Sequence, residues 1–471
     1  MKRTIATLVA AVVILAVAAC RQASHGNPLD GAYRFEQNGW IFVHLEGAPD
    51  RLGFQHGALL APEIADLLRV VKPFLQETTK HDWAFYRDAG QRVLWPKIDA
   101  EYQAELDGIV AGARSKGVTL DRWDIVALNA LEELPYYYTS WFEQQQGKPA
   151  ATDAPSHCSA FAATGSYTAD RRIVMGHNNW TDYVTGARWN IIFDLQPQRG
   201  FRIIMDGLPG VIVSDDDFGI NSDGVIVTET TIGGFQGFDT AGAPEFFRAR
   251  KALQYSGSID DYVRIMRDRN NGGYANDWLL GDNKTGEIAL FELGLKEWSL
   301  RRTADGYFVG ANFPVDPKLI AAETKFDVHN PGGSANARHT RWERLIAENR
   351  GRIDAEIGRR MEADAYDAFA KRQGPDERTL CGVIDYSPRG FPGGWASFYP
   401  AGTVQAKVTD GQMASRMELS AASGHPCAPD FQAEPFLATH PEYGWMRGLL
   451  RDMPTQPWTL FSSGMKQPTT H

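Results

Sequence analysis

At Cys158 the hydrophobic period of this chain changes, and the change rules out most fold classes. Before it, Leu59, Leu60, Ile64, Leu67, Leu68 and Val71 recur at three- and four-residue steps, and Leu106, Ile109 and Val110 repeat the pattern. That spacing predicts helices over 52–76 and 102–113. A third runs from Leu120-Asp121 to Leu134, where Pro135 ends it. After Cys158, short apolar runs bounded by Gly, Asp and Asn predict strands over 159–164, 172–178, 189–195, 201–205 and 224–230, then 277–281, 287–293, 297–302 and 307–312. Helices are expected at 259–269, 338–349 and 359–371. A helical block followed by strands, rather than alternating βα units, indicates an α+β fold.

The junction itself carries chemistry. Residues 148–156 are rich in Pro, Ala and Asp, the composition of an exposed linker. They run straight into His157-Cys158-Ser159-Ala160-Phe161. A Cys opening a strand beside a breakable bond suggests a nucleophile made by self-cleavage. Breaking the His157–Cys158 bond would give Cys158 both a thiol and a free α-amino group. That amine has a reference pKa of about 7.7–8.0, so it could act as the thiol's own base.

The chain has 471 residues and four cysteines. Lys2 and Arg3 precede a largely apolar run, 5–19, too short to span a membrane. It ends in Val17-Ala18-Ala19-Cys20, which resembles a bacterial lipoprotein signal with Cys20 as the lipidated new N-terminus. An ordinary secretory signal with a chance Cys is the alternative. Arg21 stands where inner-membrane-retained lipoproteins often carry Asp, so the resemblance points to the periplasmic face of the outer membrane. The organisation expected is a signal at 1–19, a polar tether at 20–38, a helical segment at 39–157 and a catalytic segment at 158–471. Cys381 and Cys427 remain, and an oxidising compartment permits a disulfide between them, with two buried thiols as the alternative. The formal charge of −10 argues against nucleic acid as a partner. Hydrophobic content of 43 % is ample for a packed core.

Several standard motifs are absent: G-x-S-x-G, H-E-x-x-H, G-x-x-x-x-G-K-[ST] and a helix-opening G-x-G-x-x-G. Asp215-Asp216-Asp217 fails EF-hand spacing and reads as a polar turn. The histidines show no zinc-ligand spacing.

Four strings occur in order: His157-Cys158-Ser159-Ala160; Gly176-His177-Asn178-Asn179-Trp180; the run from Asp223-Gly224 to Ile232-Gly233; and Tyr274-Ala275-Asn276-Asp277-Trp278. With Gly402-Thr403-Val404-Gln405-Ala406-Lys407-Val408-Thr409, they resemble the phospholipase B-like family of N-terminal-nucleophile hydrolases. Gly53-Phe54-Gln55-His56-Gly57 and Ser334-Ala335-Asn336-Ala337-Arg338-His339-Thr340-Arg341 are similar to the related isopenicillin N acyltransferase and bile-acid hydrolase group. The resemblance implies a four-layer αββα sandwich with two antiparallel sheets, and autocatalytic cleavage before Cys158 with both fragments retained. It also implies site roles. Cys158 is the nucleophile, and Asn276 donates to the oxyanion. His177 and Trp180 line the nucleophile, Thr230 hydrogen-bonds in the same pocket, and Arg338 sits near the thiol and can lower its pKa. Each has a plain alternative: an inert core thiol, a turn Asn, a core His packed by a Trp, a strand Thr, a surface Arg.

The chain also departs from its models. The Arg and Asp that bile-acid hydrolases carry after the nucleophile are replaced by His177 and Trp180, which makes bile salts a poor substrate guess. It is shorter than longer family members between Thr231 and Tyr274, where loops often shape pockets. The expectation is an exported, lipid-anchored hydrolase of acyl esters or amides, acting on phospholipid or N-acyl substrates through a thioester, with no metal or organic cofactor. The membrane contact would be the anchor at Cys20. An acyltransferase using the same thioester and a catalytically silent envelope-binding lipoprotein are the rival readings.

Overall fold

The computed structural model describes residues 27–148, 158–391 and 394–467. The expected signal, the lipidation site Cys20 and His157 lie outside the described residues.

Seventeen strands are described. β1 (Tyr33–Gln37) and β2 (Trp40–Gly47) precede the junction. After it come β3 (Ser159–Thr164), β4 (Val174–Asp182), β5 (Ile191–Pro197), β6 (Ile203–Gly207), β7 (Gly219–Asn221) and β8 (Val225–Thr231). Then follow β9 (Asn276–Asp282), β10 (Glu287–Leu293), β11 (Trp298–Thr303) and β12 (Gly306–Gly310). The short pair β13 (Tyr366–Asp367) and β14 (Arg372–Gln373) stands alone, and β15 (Ala401–Asp410), β16 (Glu418–Ser423) and β17 (Thr459–Ser462) complete the set. One nine-stranded sheet runs β1-β2-β5-β6-β7-β8-β9-β10-β11, and a six-stranded sheet runs β12-β3-β4-β15-β16-β17. Every named pair is antiparallel except β2 with β5, which is parallel.

Side-chain alternation builds the layers. In β3, Ala160 and Ala162 join the core between the two sheets, while Phe161 and Ala163 face Trp342, Leu345 and Ile346 of the Ser334–Glu348 helix. In β8, Ile226 faces the other sheet, whereas Val225 and Val227 face the helices before the junction. The result is helices, nine strands, six strands, helices: an α+β sandwich.

The element boundaries differ from expectation in instructive places. Tyr33–Gln37, inside the expected tether, is a strand, and Trp40–Gly47 adds another to the segment expected to be helical. The 52–76 helix is two helices, Pro49–Leu59 and Ala61–Thr79, with Pro62 near the start of the second. Pro135 does not terminate a helix. The Arg122–Asn129 helix stops earlier, and Pro135 lies in the first turn of Leu134–Tyr138, where its missing N–H costs nothing. The 359–371 helix is Ala355–Glu362 and stops short of β13.

Pro49–Leu59 and Ala100–Ser115 cross very closely. An added Cβ at Gly53 would lie 1.9 Å from the Glu105 carbonyl oxygen, and one at Gly57 would lie 2.0 Å from that of Ile109. The contact positions His56, whose Nε2 accepts from the Gly210 backbone N–H at 2.8 Å.

Candidate active site

The space between the sheets is apolar at one end and polar at the other. Following the inward positions along each strand shows why. β4 presents Met175 and then His177; β6 presents Ile204 and then Asp206; β8 presents Ile226 and then Thr228 and Thr230. On β15, Lys407 pairs in register with His177. Cys158 stands immediately before β3, whose Ser159 pairs with Asn178 of β4. It is 1 % exposed.

The backbone at Cys158 has φ of +79°. That is the left-handed region, which costs a non-glycine residue roughly 1–2 kcal/mol. The torsion exists only while the His157–Cys158 bond exists.

Arg338, on the Ser334–Glu348 helix, holds that backbone. Its Nη1 donates to the Cys158 carbonyl oxygen and, at 3.3 Å, to Ser159 Oγ. Nη2 donates to Asn312 Oδ1 at 2.8 Å, and Nε to Ser334 Oγ at 3.0 Å. The guanidinium lies 4.5 Å from the Trp180 ring centroid. Arg338 is buried, which lowers its pKa to about 9, with the neighbouring Cys158 opposing the shift. It is therefore no surface residue. Nor is the thiol driven down, as the sequence led us to expect of an adjacent Arg. Burial pushes the Cys158 thiol well up, and Glu229 pushes it further, against a backbone hydrogen bond from Trp180.

Cys158, His177 and Glu229 each present a ligating atom, all within 4.8 Å of one another. His177 is fully buried, and its Nδ1 lies 3.7 Å from Asp216 Oδ2. Burial first, then Lys407, lowers its pKa to about 3, so the ring is neutral. Glu229 Oε1 accepts from the Tyr274 hydroxyl at 2.9 Å. Oriented so that its amide nitrogen faces oxygens, Asn276 donates to Glu229 Oε2 at 3.0 Å and to the Ala275 carbonyl at 3.2 Å. Thr230 connects differently: its Oγ1 accepts from the Asn312 backbone N–H at 3.4 Å, and Asn312 in turn accepts from Arg338.

Behind His177 lies a buried ionic cluster. Lys407 Nζ donates to Asp206 Oδ2 at 2.9 Å and also to Asp216. Ser214 Oγ hydrogen-bonds Asp206 Oδ1 and Asp216 Oδ1, and Gln405 Nε2 donates to Asp206 Oδ2. Burial, then Asp216, raises Asp206 to about 7, whereas Lys407 holds Asp216 below the usual carboxylate range despite burial. The Asp215-Asp216-Asp217 run is thus no exposed polar turn: all three carboxylates are buried. Cys381 and Cys427 form a disulfide. It anchors the segment whose Leu380 carbonyl accepts from Asn178 Nδ2 and Trp180 Nε1.

Sequence reading missed Glu229, Tyr274, Asp206, Asp216 and Lys407. A single acidic residue in Val225–Thr231, Glu229, and a single basic residue in Ala401–Asp410, Lys407, were the available signal.

A cleft of about 560 Å³ has an aromatic wall of Tyr136, Tyr137, Trp141, Phe235 and Phe238 and a polar one that includes Gln144, Lys296, Glu297 and Glu323. Burial first, then Glu132 and Glu229, pushes the hydroxyl of Tyr137, on the cleft wall, well up.

The family model described as phospholipase B matches residues 66–289. "Phospholipase-B 81" of Drysdalia coronoides is 24 % identical over 431 residues, 79 % of this chain and 75 % of that protein. "Putative phospholipase B-like 2" of Bos taurus is 30 % identical over 131 residues, 24 % of this chain and 22 % of that protein. An uncharacterized protein of Archaeoglobus fulgidus is 25 % identical over 283 residues, 56 % of this chain but only 45 % of its own length.

Proposed function

We propose that Cys158 is the nucleophile of an acyl ester or amide hydrolase that matures by self-cleavage; the phospholipase B family model over residues 66–289 and the phospholipase B-like relatives support an acyl hydrolase. The observation that carries this reading is Cys158 itself: buried at the polar end of the two sheets, opening β3, with its main chain held by Arg338 in a strained conformation.

Maturation begins when Cys158 Sγ attacks the His157 carbonyl carbon. The C–N bond breaks and the Cys158 nitrogen, gaining a proton, becomes a free amine. Water then hydrolyses the thioester, leaving a carboxylate on His157. Losing the His157–Cys158 peptide removes the φ strain, which favours the step.

In turnover the α-amino group takes the thiol proton, and the thiolate attacks the acyl carbonyl of the substrate. The resulting ammonium protonates the leaving alcohol or amine. Water resolves the thioester by the same proton path in reverse. A buried thiol with a raised pKa needs such a local base. His177 is neutral and fits orientation of the amine rather than carriage of charge. Asn276 would donate to the oxyanion by exchanging its Glu229 partner for substrate. The aromatic wall of the cleft suits an acyl chain and its charged wall a polar head group, which supports phospholipid or N-acyl substrates.

The signal-like N-terminus supports export and anchoring through Cys20 at the periplasmic face of the envelope. Within the described residues no helix is long and apolar enough to cross a membrane.

Acid-quenching the protein during turnover of a short-chain acyl ester tests the chemistry. A mass increase equal to the acyl group, on the fragment that begins at Cys158, is expected. An acyl group on any other residue would refute the assignment.

A further inference from the structure

The polar end of the sheets holds more ligating capacity than acyl transfer needs. Three donors of different type come from three strands: Cys158 before β3, His177 on β4 and Glu229 on β8, with their ligating atoms within 4.8 Å of one another. The sequence showed no zinc-like spacing because each ligand arrives on a different strand. All three are buried, and neither ring nitrogen of His177 has a hydrogen-bond partner. Glu229 accepts one bond on each oxygen, from Tyr274 and Asn276, and a carboxylate has about four lone-pair sites, so it retains capacity for an ion.

The maturation proposed above supplies a fourth donor. A free α-amine and the thiolate of one cysteine close a five-membered chelate ring through Cα and Cβ. Sulfur, two nitrogens and a carboxylate oxygen form a donor set that zinc-class ions take tetrahedrally. Around such an ion, at about 2.0–2.3 Å from each ligand, donor atoms sit roughly 3.3–3.6 Å apart. From spacings of up to 4.8 Å the three side chains must therefore close by up to about 1.2–1.5 Å, within reach of torsional adjustment.

The surrounding charge favours a cation. Asp216 stands 3.7 Å from His177, and Glu229 is itself a ligand. Two cations oppose it: Lys407, already bonded to both Asp206 and Asp216, and Arg338, whose guanidinium is engaged with the Cys158 carbonyl oxygen and Asn312 Oδ1. Tyr274 and Asn276, the other neighbours of Glu229, are neutral.

We propose that in the mature protein Cys158, through its thiolate and α-amine, together with His177 and Glu229, binds a thiophilic divalent cation of the zinc class, and that the ion inhibits the enzyme by occupying the nucleophile. The proposal rests on cleavage before Cys158. Binding displaces the thiol proton, the proton that burial holds on the Glu229 carboxyl, and one from the ammonium when the amine is protonated; all pass to solvent. The sulfur lone pair that would attack an acyl carbonyl is then held by the metal, and so is the base.

Cobalt titration of the mature protein tests this directly. One equivalent of Co²⁺ should produce the near-ultraviolet thiolate-to-cobalt charge-transfer band, and Zn²⁺ should bleach it. Zn²⁺ should abolish acyl hydrolysis, and chelation should restore it. His177→Gln should weaken cobalt binding by more than about 100-fold, beyond the range of outer-shell changes. Blocking the thiol of folded wild type with a small methanethiosulfonate, which needs no substitution, should abolish the band. Absence of the band, or a band that survives the thiol block, overturns the site. N-terminal sequencing of the same sample separates the claims. A chain cleaved before Cys158 that shows no band refutes the metal site alone; an uncleaved chain refutes the premise and the four-donor site with it.

Discussion

Replacing Gly57 with alanine sets helix propensity against helix packing. Gly57 lies within Pro49–Leu59, where alanine should gain about 1 kcal/mol by propensity alone. Its Cβ, however, would lie 2.0 Å from the Ile109 carbonyl oxygen and 2.8 Å from the Ala113 nitrogen. An ordinary C···O contact is about 3.4 Å, so the helices must part by roughly 1.4 Å. A gap of about 1 Å forfeits up to half of each dispersion contact along the seam. It also draws His56 from the Gly210 N–H, leaving a buried donor at a cost of about 1–3 kcal/mol. Overpacking usually costs about 1–3 kcal/mol on its own. The packing loss therefore outweighs the propensity gain, and the net expectation is a loss of about 3 kcal/mol. Urea unfolding should show a lower midpoint with an unchanged slope. Gly444→Ala, with no atom within 4 Å of the new Cβ, is the control and should change stability by less than about 0.5 kcal/mol. Gly112 meets the same helix, its Cβ 2.1 Å from the Phe54 carbonyl oxygen, so the double variant should cost less than the sum of the singles. A Gly57→Ala protein as stable as wild type, or more stable, would refute the reasoning.

Lys407→Met should cost about 3–5 kcal/mol, because it strands two buried carboxylates, Asp206 and Asp216; an unchanged thermal midpoint would count against the ionic cluster. Asp385 is a pH test. Burial raises its folded pKa from 3.8 to about 7, so the folded form holds the proton more tightly. Its contribution is full below about pH 4 and is lost as pH rises towards 7; Asp385→Asn should flatten that decline, and an identical pH profile would contradict it. The Cys381–Cys427 disulfide spans 46 residues, which predicts a loss of about 4 kcal/mol for the double Ser variant on the chain-entropy model. Chemical unfolding measures it, and no change would mean that the segment beside Trp180 is fixed by other contacts.

What the sequence revealed, and what it hid, follows from where each signal resides. β3 and β10 were readable to the residue because turn formers bracket runs that pair locally with their neighbours. Trp40–Gly47 was not, since its pairing with β5 joins segments about 150 residues apart and its period is lost by burial on both faces. Pro135 misled because proline at a helix start and proline after a helix end look alike without the neighbouring turn. In the site, Cys158 announced itself through the linker before it. His177, Trp180 and Arg338 came into view through ordered resemblance, and the structure gathers them around Cys158. Glu229 and Lys407 stayed hidden because a charge on a strand ordinarily faces water, and Asp216 because an acidic run between strands ordinarily forms an exposed turn. Burial brings all three into the interior: Lys407 from β15 beside His177, Asp216 from the loop before β7, and Glu229 from the face of β8 that it shares with Val225 and Val227.

The most direct measurement is intact-mass and N-terminal analysis of the purified protein beside Cys158→Ala. The account predicts two fragments in wild type, one beginning at Cys158, and a single chain in the variant. A wild-type chain still whole after prolonged incubation at mildly acidic and neutral pH would contradict it.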